Sequence, residues 1–352
     1  MRDKVTIGVI GTGFGQLVHV PAFRSCPGCE VRAIAASRLE HAQQAAQALG
    51  VPRSTADWRE LVSDPELDGL ALAVPPSVQA EIALAAARAG KHLFCEKPLA
   101  LNAAQAEEIA AAARQSGIVH ALDFIFPEIP AWQLARESIQ SSKLGRIRHA
   151  ALTWRVETYA YRASVRNWKM SPESGGGTLN NFASHTFYYL EWLFGPIVKV
   201  QARLSPPGQA NSGSASQVEA RVDAWVDFAA GFPCAVSISA DAFLGFGHRL
   251  EVYGDHGTCV LENTTADYAR GFNLFLGTRE SPHLDPVAVI AADAFSDGRI
   301  YPVSRIAARF VDAIRDHTKV LPGFDEGVRT QVLLDALRLA DRTGTWQDVR
   351  LS

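Results

Sequence analysis

The sequence has no apolar run of membrane-spanning length, no surplus of either charge and no cysteine framework, and each absence removes a class of protein. Lys and Arg number 34 against 37 Asp and Glu, a formal charge of -3. No basic field is therefore available for nucleic acid or an anionic membrane. The five cysteines, Cys26, Cys29, Cys95, Cys234 and Cys259, are odd in number and scattered, which fits a reducing compartment better than a disulfide scaffold. Only Cys26-Pro27-Gly28-Cys29 has redox or metal spacing. No second Cys or His pair completes four ligands, so it reads as a tight Pro-Gly turn and no metal is expected. The start, MRDKVTIGVIG, has neither the length nor the cleavage site of a secretory signal, and a cytoplasmic location is expected. With 47% hydrophobic and 20% charged residues the chain is neither disordered nor fibrous, and its 352 residues suit two domains.

What is present is, first, an alternation. Residues 5–10 (VTIGVI) form a short unbroken apolar run, the mark of a strand buried on both faces of a parallel sheet. Helices are predicted at 16–25, 39–49, 57–63, 77–89 and 102–116, and strands at 30–36, 69–74, 91–95 and 118–124. Gly50, Gly90 and Gly117 stand where helices should stop, and Asn102 where one should start. Strand-helix alternation of this kind means a doubly wound parallel sheet over residues 1–124.

From residue 125 to 352 the pattern changes. A helix at 130–141 precedes a long period-2 segment at 146–160, a glycine turn at 175–177 and a helix at 181–194. Strands are then predicted at 198–204, 217–229, 233–243, 248–253 and 258–262, and helices at 303–316 and 325–343. The stretches 205–216 and 281–300 read as surface loops. The result is a second α/β domain with an open, mostly antiparallel sheet.

Gly11-Thr12-Gly13-Phe14-Gly15 directly follows the first buried strand and precedes a helix, the context in which glycines let a dinucleotide pyrophosphate approach the backbone. The pattern departs from G-x-G-x-x-G in that Gln16 holds the third glycine position and Gly15 comes one place early. The second strand runs into Ser37-Arg38 rather than an acidic residue, which suits the 2′-phosphate of NADP(H), with NAD(H) the alternative. Val74-Pro75-Pro76 and Glu96-Lys97-Pro98 follow two further strands, so they share the carboxyl-end rim with the glycine loop. A lysine there is able to bind a substrate oxygen or, desolvated, to pass a proton.

These residues carry a resemblance to the Gfo/Idh/MocA family of NAD(P)-dependent oxidoreductases, and it extends over nearly the whole chain. It rests on IGVIGTGFG with His19 beyond it, on AVPPSVQAEIALAAARAGKHLFCEKPLA, on GGGTLNNFASHTFYYLEWLFG and on LEVYGDHGTCVLEN. The resemblance implies a Rossmann domain followed by an α/β domain for substrate binding and oligomer contacts, hence a homodimer or homotetramer. It also implies that Lys97 of the E-K-P motif and His185 are catalytic, with His185 taking a hydroxyl proton while Lys97 orients the oxygen.

Two positions depart from the family pattern: Asn181 stands for the usual Asp and Ala183 for the usual second Gly. Asn181 hydrogen-bonds but cannot serve as a carboxylate base. Tyr188, at the family's H-x-x-D position, offers another hydroxyl. Tyr159, Tyr161, Arg162, Arg166, Trp168 and Lys169 form a polar-aromatic cluster suited to a sugar ring or an anionic group. The expected function is hydride transfer between NADP(H) and a secondary alcohol or ketone of a sugar, cyclitol or related polyol. The alternatives are a biosynthetic imine or keto-sugar reductase and, because of Asn181, an NADP-binding regulator without turnover.

Overall fold

The computed structural model describes residues 4–163, 165, 167–207, 218–290 and 295–350. Arg166 and most of the predicted loop at 205–216 lie outside these residues. The chain packs as two units, Met1–Ile125 with Asp293–Gln331, and Phe126–Ala292 with Val332–Ser352.

The first unit alternates as the apolar pattern predicts: β1 (Val5–Ile10), α1 (Val20–Arg24), β2 (Cys29–Ala35), α2 (Leu39–Leu49), β3 (Arg53–Thr55), α3 (Trp58–Ser63), β4 (Gly69–Leu72), α4 (Pro76–Arg88), β5 (His92–Cys95), α5 (Ala103–Ser116) and β6 (His120–Leu122). All six strands are parallel, in the order β3-β2-β1-β4-β5-β6. β1 is buried along its whole length, as its unbroken apolar run requires. α5 begins where the Asn102 side chain accepts from the Gln105 N–H at 3.0 Å and stops at Gly117, whose φ is 63°. The order reverses between β1 and β4, and at such a switch point open α/β sheets bind ligands beyond the carboxyl ends of the strands.

The second unit holds α6 (Pro130–Gln140), β7 (Ile147–Arg155), α7 (Tyr159–Arg162), α8 (Ser184–Phe194), β8 (Ile197–Ser205), β9 (Arg221–Phe228), β10 (Pro233–Ser239), β11 (Gly247–Gly254), β12 (Gly257–Asn263), β13 (Asn273–Thr278) and β14 (Asp285–Val287). With β15 (Gln347–Asp348) they make a nine-stranded sheet, β14-β13-β12-β11-β7-β10-β9-β8-β15. Only the β7–β10 pair is parallel; the sheet is otherwise antiparallel. Its core is aromatic: Trp132 of α6 and Tyr189 of α8 are fully buried, and their rings meet Phe126, Phe272 and the His248 imidazole.

Two long helices follow, α9 (Ile300–Asp316) and α10 (Phe324–Thr343). α9 belongs to the first unit, not to the second where a simple split after residue 124 puts it. The reason is its apolar face, which carries Val303, Ile306 and Phe310. Phe310 packs edge-on against Phe23 of α1 and Phe94 of β5, and all three are inaccessible to solvent. Residues 324–331 of α10 also count with the first unit, and the remainder with the second.

Candidate functional site

The glycine loop emerges from β1, held on one side where the Gly11 N–H donates to the Ala35 carbonyl at 2.8 Å and on the other where the Ala73 N–H donates to that of Ile10. Each glycine has its own job. Gly11 has φ 114°, and a Cβ there would lie 2.2 Å from the Ala73 carbonyl oxygen. Gly13 is exposed, and a Cβ on it would meet nothing within 4 Å, so its backbone is left bare on the outer side of the loop. Gly15 is buried, and its Cβ would press on Val9 at 3.0 Å and on Ala73 at 3.2 Å. Gly15 thus provides the close helix-strand approach that the third glycine of G-x-G-x-x-G usually provides, and the shift by one place goes with a widened first turn at Gly15–His19. Bare backbone at a helix start, at the switch point of the sheet, fits a dinucleotide pyrophosphate.

Ser37 and Arg38 follow β2 and are exposed, with Arg38 in extended backbone just before α2 and its side chain making no cap bond. Val74 and Pro75 are half-buried after β4, and Pro76 is the buried first residue of α4. Glu96-Lys97-Pro98 follows β5, as predicted, with Lys97 half-buried. This turn is held from beneath by a residue the sequence did not single out. The amide of Gln79, 1% exposed, donates to the carbonyls of Glu96, Pro98 and Leu99 at 2.7, 3.1 and 3.1 Å.

A second unforeseen group lies beside it. The His19 Nε2 is 3.0 Å from Glu96 Oε1 and 3.5 Å from Asp123 Oδ2. His19 and Asp123 are buried, whereas the Glu96 side chain is 16% exposed. The imidazole lies edge-to-face between Phe14 of the glycine loop and Phe94 of β5. Burial opposes a charge on His19, yet its bonds to Asp123 and Glu96 outweigh that and raise its pKa to about 9. Burial and the Glu96 charge push the Asp123 carboxyl up to about 7. Burial works against the Glu96 carboxylate too, but the His19 bond and the His19 and Lys97 charges hold it below its ordinary value. Among the described residues these three are the one His, Cys and acid grouping with donor atoms all within 4.8 Å of one another. Its shortest contact is the His19–Glu96 hydrogen bond. Arg299, paired with Asp297, stands over the Phe14 ring at 5.4 Å, another charge beside the loop that no motif announced.

In the second unit, a wide helical turn at Leu179–Ala183 carries Asn181 into α8, where His185 is 7% exposed. The His185 ring meets Phe126 edge-on at 5.1 Å. Behind it the Tyr189 hydroxyl bonds Thr186 and His248, and burial pushes His248 down to about 3, so that imidazole is neutral. At this contact α8 is therefore anchored by uncharged groups. The glycine turn before it is set by close approach: a Cβ on Gly176 would lie 2.4 Å from the Lys169 carbonyl oxygen, and one on Gly177 2.3 Å from Glu219 Oε1. Asn181 earns its place here, because its amide donates to the Gly177 carbonyl at 2.8 Å, a bond that the family's usual carboxylate is unable to make. Tyr188 is half-buried on α8.

A cavity of about 350 Å³ brings together five of the predicted residues, Tyr159, Tyr161, Trp168, Lys169 and Asn181, with Phe182 as a further wall. Tyr159 is 64% exposed, whereas Tyr161 is packed with Ala220 and Ala240 and shapes the cavity from its core side. The predicted strand to residue 160 ends at Arg155. Residues 159–162 are helical instead, because Arg162 N–H bonds the Thr158 carbonyl and Tyr161 turns inward. Arg162, His185 and Tyr188 are not in the cavity lining. Cys26 and Cys29 form the expected turn, closed by the Cys29 N–H on the Cys26 carbonyl at 3.2 Å, with both thiols pushed up to about 12 by burial.

The family model described as "Oxidoreductase family, NAD-binding Rossmann fold" matches residues 5–124. A second, the "GFO/IDH/MocA C-terminal domain", matches residues 132–260. An uncharacterized oxidoreductase of Synechocystis is 34% identical over 97% of this chain and 95% of its own. The levoglucosan dehydrogenase of Pseudarthrobacter phenanthrenivorans is 28% identical over 99% of this chain and 98% of its own. A solved levoglucosan dehydrogenase, in complex with NADH and levoglucosan, superimposes with a TM-score of 0.88 at 27% identity, over 99% of this chain and all of that one (100%). No helix among the described residues is long and apolar enough to cross a membrane.

Proposed function

Because the chain belongs to the Gfo/Idh/MocA family of oxidoreductases, we propose that it transfers hydride between NADP(H) and a secondary alcohol or ketone of a sugar, anhydro-sugar or cyclitol. The observation that carries this reading is the shared rim of the first sheet. There the glycine loop and the Lys97 turn leave β1 and β5 on either side of β4. Gly11, Thr12, Gly13, Phe14 and Gly15 would hold the pyrophosphate, and Val74, Pro75, Pro76, Glu96 and Lys97 the nicotinamide side. Ser37 and Arg38 would meet the adenosine ribose. The absence of an acidic residue after β2 supports NADP(H), while the relative solved with NADH keeps NAD(H) as the rival.

The bound nicotinamide supplies the hydride acceptor or donor; the proton falls to the chain. On oxidation the His185 imidazole takes the hydroxyl proton as the C–H bond gives up its electron pair, and on reduction it returns that proton. The Lys97 ammonium donates to the same oxygen and stabilises the charge that develops on it. Tyr188 adds a hydroxyl from the same helix face region, and Asn181 shapes the pocket without acting as a base. Tyr159, Tyr161, Arg162, Arg166 and Trp168 would form the sugar side, consistent with the aromatic cavity that Tyr159, Tyr161 and Trp168 line.

The open face of the nine-stranded sheet, where Trp225 is 53% exposed, is read as the contact of a homodimer or homotetramer, to be measured by sedimentation velocity. The enzyme reading is tested by fluorescence titration with NADPH and NADH, then turnover over levoglucosan, myo-inositol, inososes and keto-sugars. Tight NADPH binding with turnover that Lys97→Ala abolishes supports it. Binding of neither cofactor overturns it, and binding without turnover across the whole panel favours the regulator.

A further inference from the structure

A buried ion cluster is a costly feature: three titratable groups out of water lose more in hydration than an apolar core of the same volume would. His19, Glu96 and Asp123 come from three separate places, the helix after the glycine loop, the end of β5 and the residue after β6, and they meet directly beneath the rim. Their backbone is fixed as firmly as their side chains. Glu96 N–H donates to the Leu72 carbonyl and Asp123 N–H to that of Cys95, both at 2.9 Å, while Gln79 grips the carbonyls on either side of Lys97. Glu96 is the most exposed member, at 16% against 1% for Asp123, and it immediately precedes Lys97.

We propose that His19, Glu96 and Asp123 are positioning residues for Lys97: the buried His19 ring pins the Glu96 side chain, and Glu96, next to Lys97 in a turn that Gln79 fixes on both sides, holds the Lys97 ammonium in place and favours its charged form. Phe14 touches the same imidazole at a centroid distance of 5.4 Å, so the cluster also joins the glycine loop to the Lys97 turn through one side chain. The charges acting on its members are one another's and that of Lys97. The neighbouring Cys95 thiol is kept neutral by burial, and the α9 face packed against Phe94 is apolar, with Phe310 at the contact. Arg299 stands beyond the Phe14 ring.

The importance of this device rests on the reading of Lys97 as the group that binds the reacting oxygen, but its test does not. The full-length protein is labelled with trace acetic anhydride at a series of pH values, and acetylation of Lys97 is followed by mass spectrometry, with exposed Lys4 as the internal reference. Glu96→Gln, which keeps the shape and removes the charge, is expected to lower the pH midpoint of Lys97 labelling by about one unit, roughly tenfold more labelling at a fixed acidic pH. Asp123→Asn is expected to move it the same way by less and to remove the inflection between pH 6 and 8 expected of the wild type. Lys4 should not move in either variant. An unchanged Lys97 midpoint in folded Glu96→Gln overturns the proposal; if that variant does not fold, an unchanged profile in Asp123→Asn does so. The reading of Lys97 itself fails separately, when Lys97→Ala turns substrate over like the wild type.

Discussion

Gly13→Ala separates binding from folding more cleanly than any other substitution in the glycine loop. The added methyl meets no atom within 4 Å, so the folded chain gains no strain. Losing a glycine from the unfolded chain is worth roughly 0.4–1 kcal/mol in its favour. The melting temperature should therefore stay level or rise slightly. The same methyl covers the bare backbone on which a pyrophosphate would lie, and the loss in cofactor affinity should be about 10- to 100-fold, or roughly 1.4–2.7 kcal/mol. Gly11→Ala should behave in the opposite order. Its methyl would lie 2.2 Å from the Ala73 carbonyl oxygen on a residue with φ 114°, and overpacking plus backbone strain together cost about 3 kcal/mol or more. Fluorescence titration with NADPH and NADH, beside thermal melts of both variants, reads the two effects. Wild-type affinity for both cofactors in Gly13→Ala would refute the cradle, whatever the loop resembles.

Gln79→Leu removes the donor shared by the carbonyls of Glu96, Pro98 and Leu99; it should cost about 2–3 kcal/mol in urea unfolding and lower kcat at least tenfold while cofactor Kd holds. Unchanged kcat would show that the Lys97 turn does not depend on it. Asp123 titrates higher in the folded chain, at about 7, than its ordinary 3.8. Its contribution to stability is thus full below about 3.8 and lost as pH rises toward 7. Wild type should accordingly lose stability relative to Asp123→Asn over that window, and melts showing a constant difference from pH 4 to 8 would contradict the assignment. Asn181→Asp replaces the donor to the Gly177 carbonyl by an acceptor; it should destabilise by roughly 1–2 kcal/mol without improving turnover. Improved turnover would mean that the substitution for the family's Asp limits the chemistry.

Local chemistry made much of the first unit legible. The Asn102 cap and the Gly50 and Gly117 stops are decided within a turn, and the helices they bound run as their patterns require. β3 was not seen because Arg53–Thr55 is a three-residue edge strand, exposed at its start, with no alternation to read. β14 lies within the 281–300 stretch that reads as irregular loop, and β13 in a stretch to which the pattern assigns no element, since pairing of β13 with β12 and of β14 with β13 rather than composition makes them strands. The period-2 pattern at 146–160 overshot because nothing in Tyr159-Ala160-Tyr161 reveals that Tyr161 turns into the core. At the site, residues adjacent in sequence were found: the glycine loop, the two proline turns and the Asn181 to His185 stretch. His19 was noticed only inside a motif, and Asp123 only as part of a strand. What joins them to Glu96 is the order of β1, β5 and β6 in the sheet, which no local pattern encodes. Gln79 hides for the same reason, since it looks like any polar residue of a helix until its amide is seen under the turn.

The return of α9 to the first unit bears on how the polypeptide is made. Residues 1–124 leave the ribosome well before 300–316, and until then Phe23 and Phe94 lack the Phe310 ring that closes over them. The first unit is begun first but completed only after every long strand of the nine-stranded sheet has been synthesised. An isolated 1–124 fragment should expose that aromatic surface and aggregate, and one extended by a linker to residues 295–331 should not.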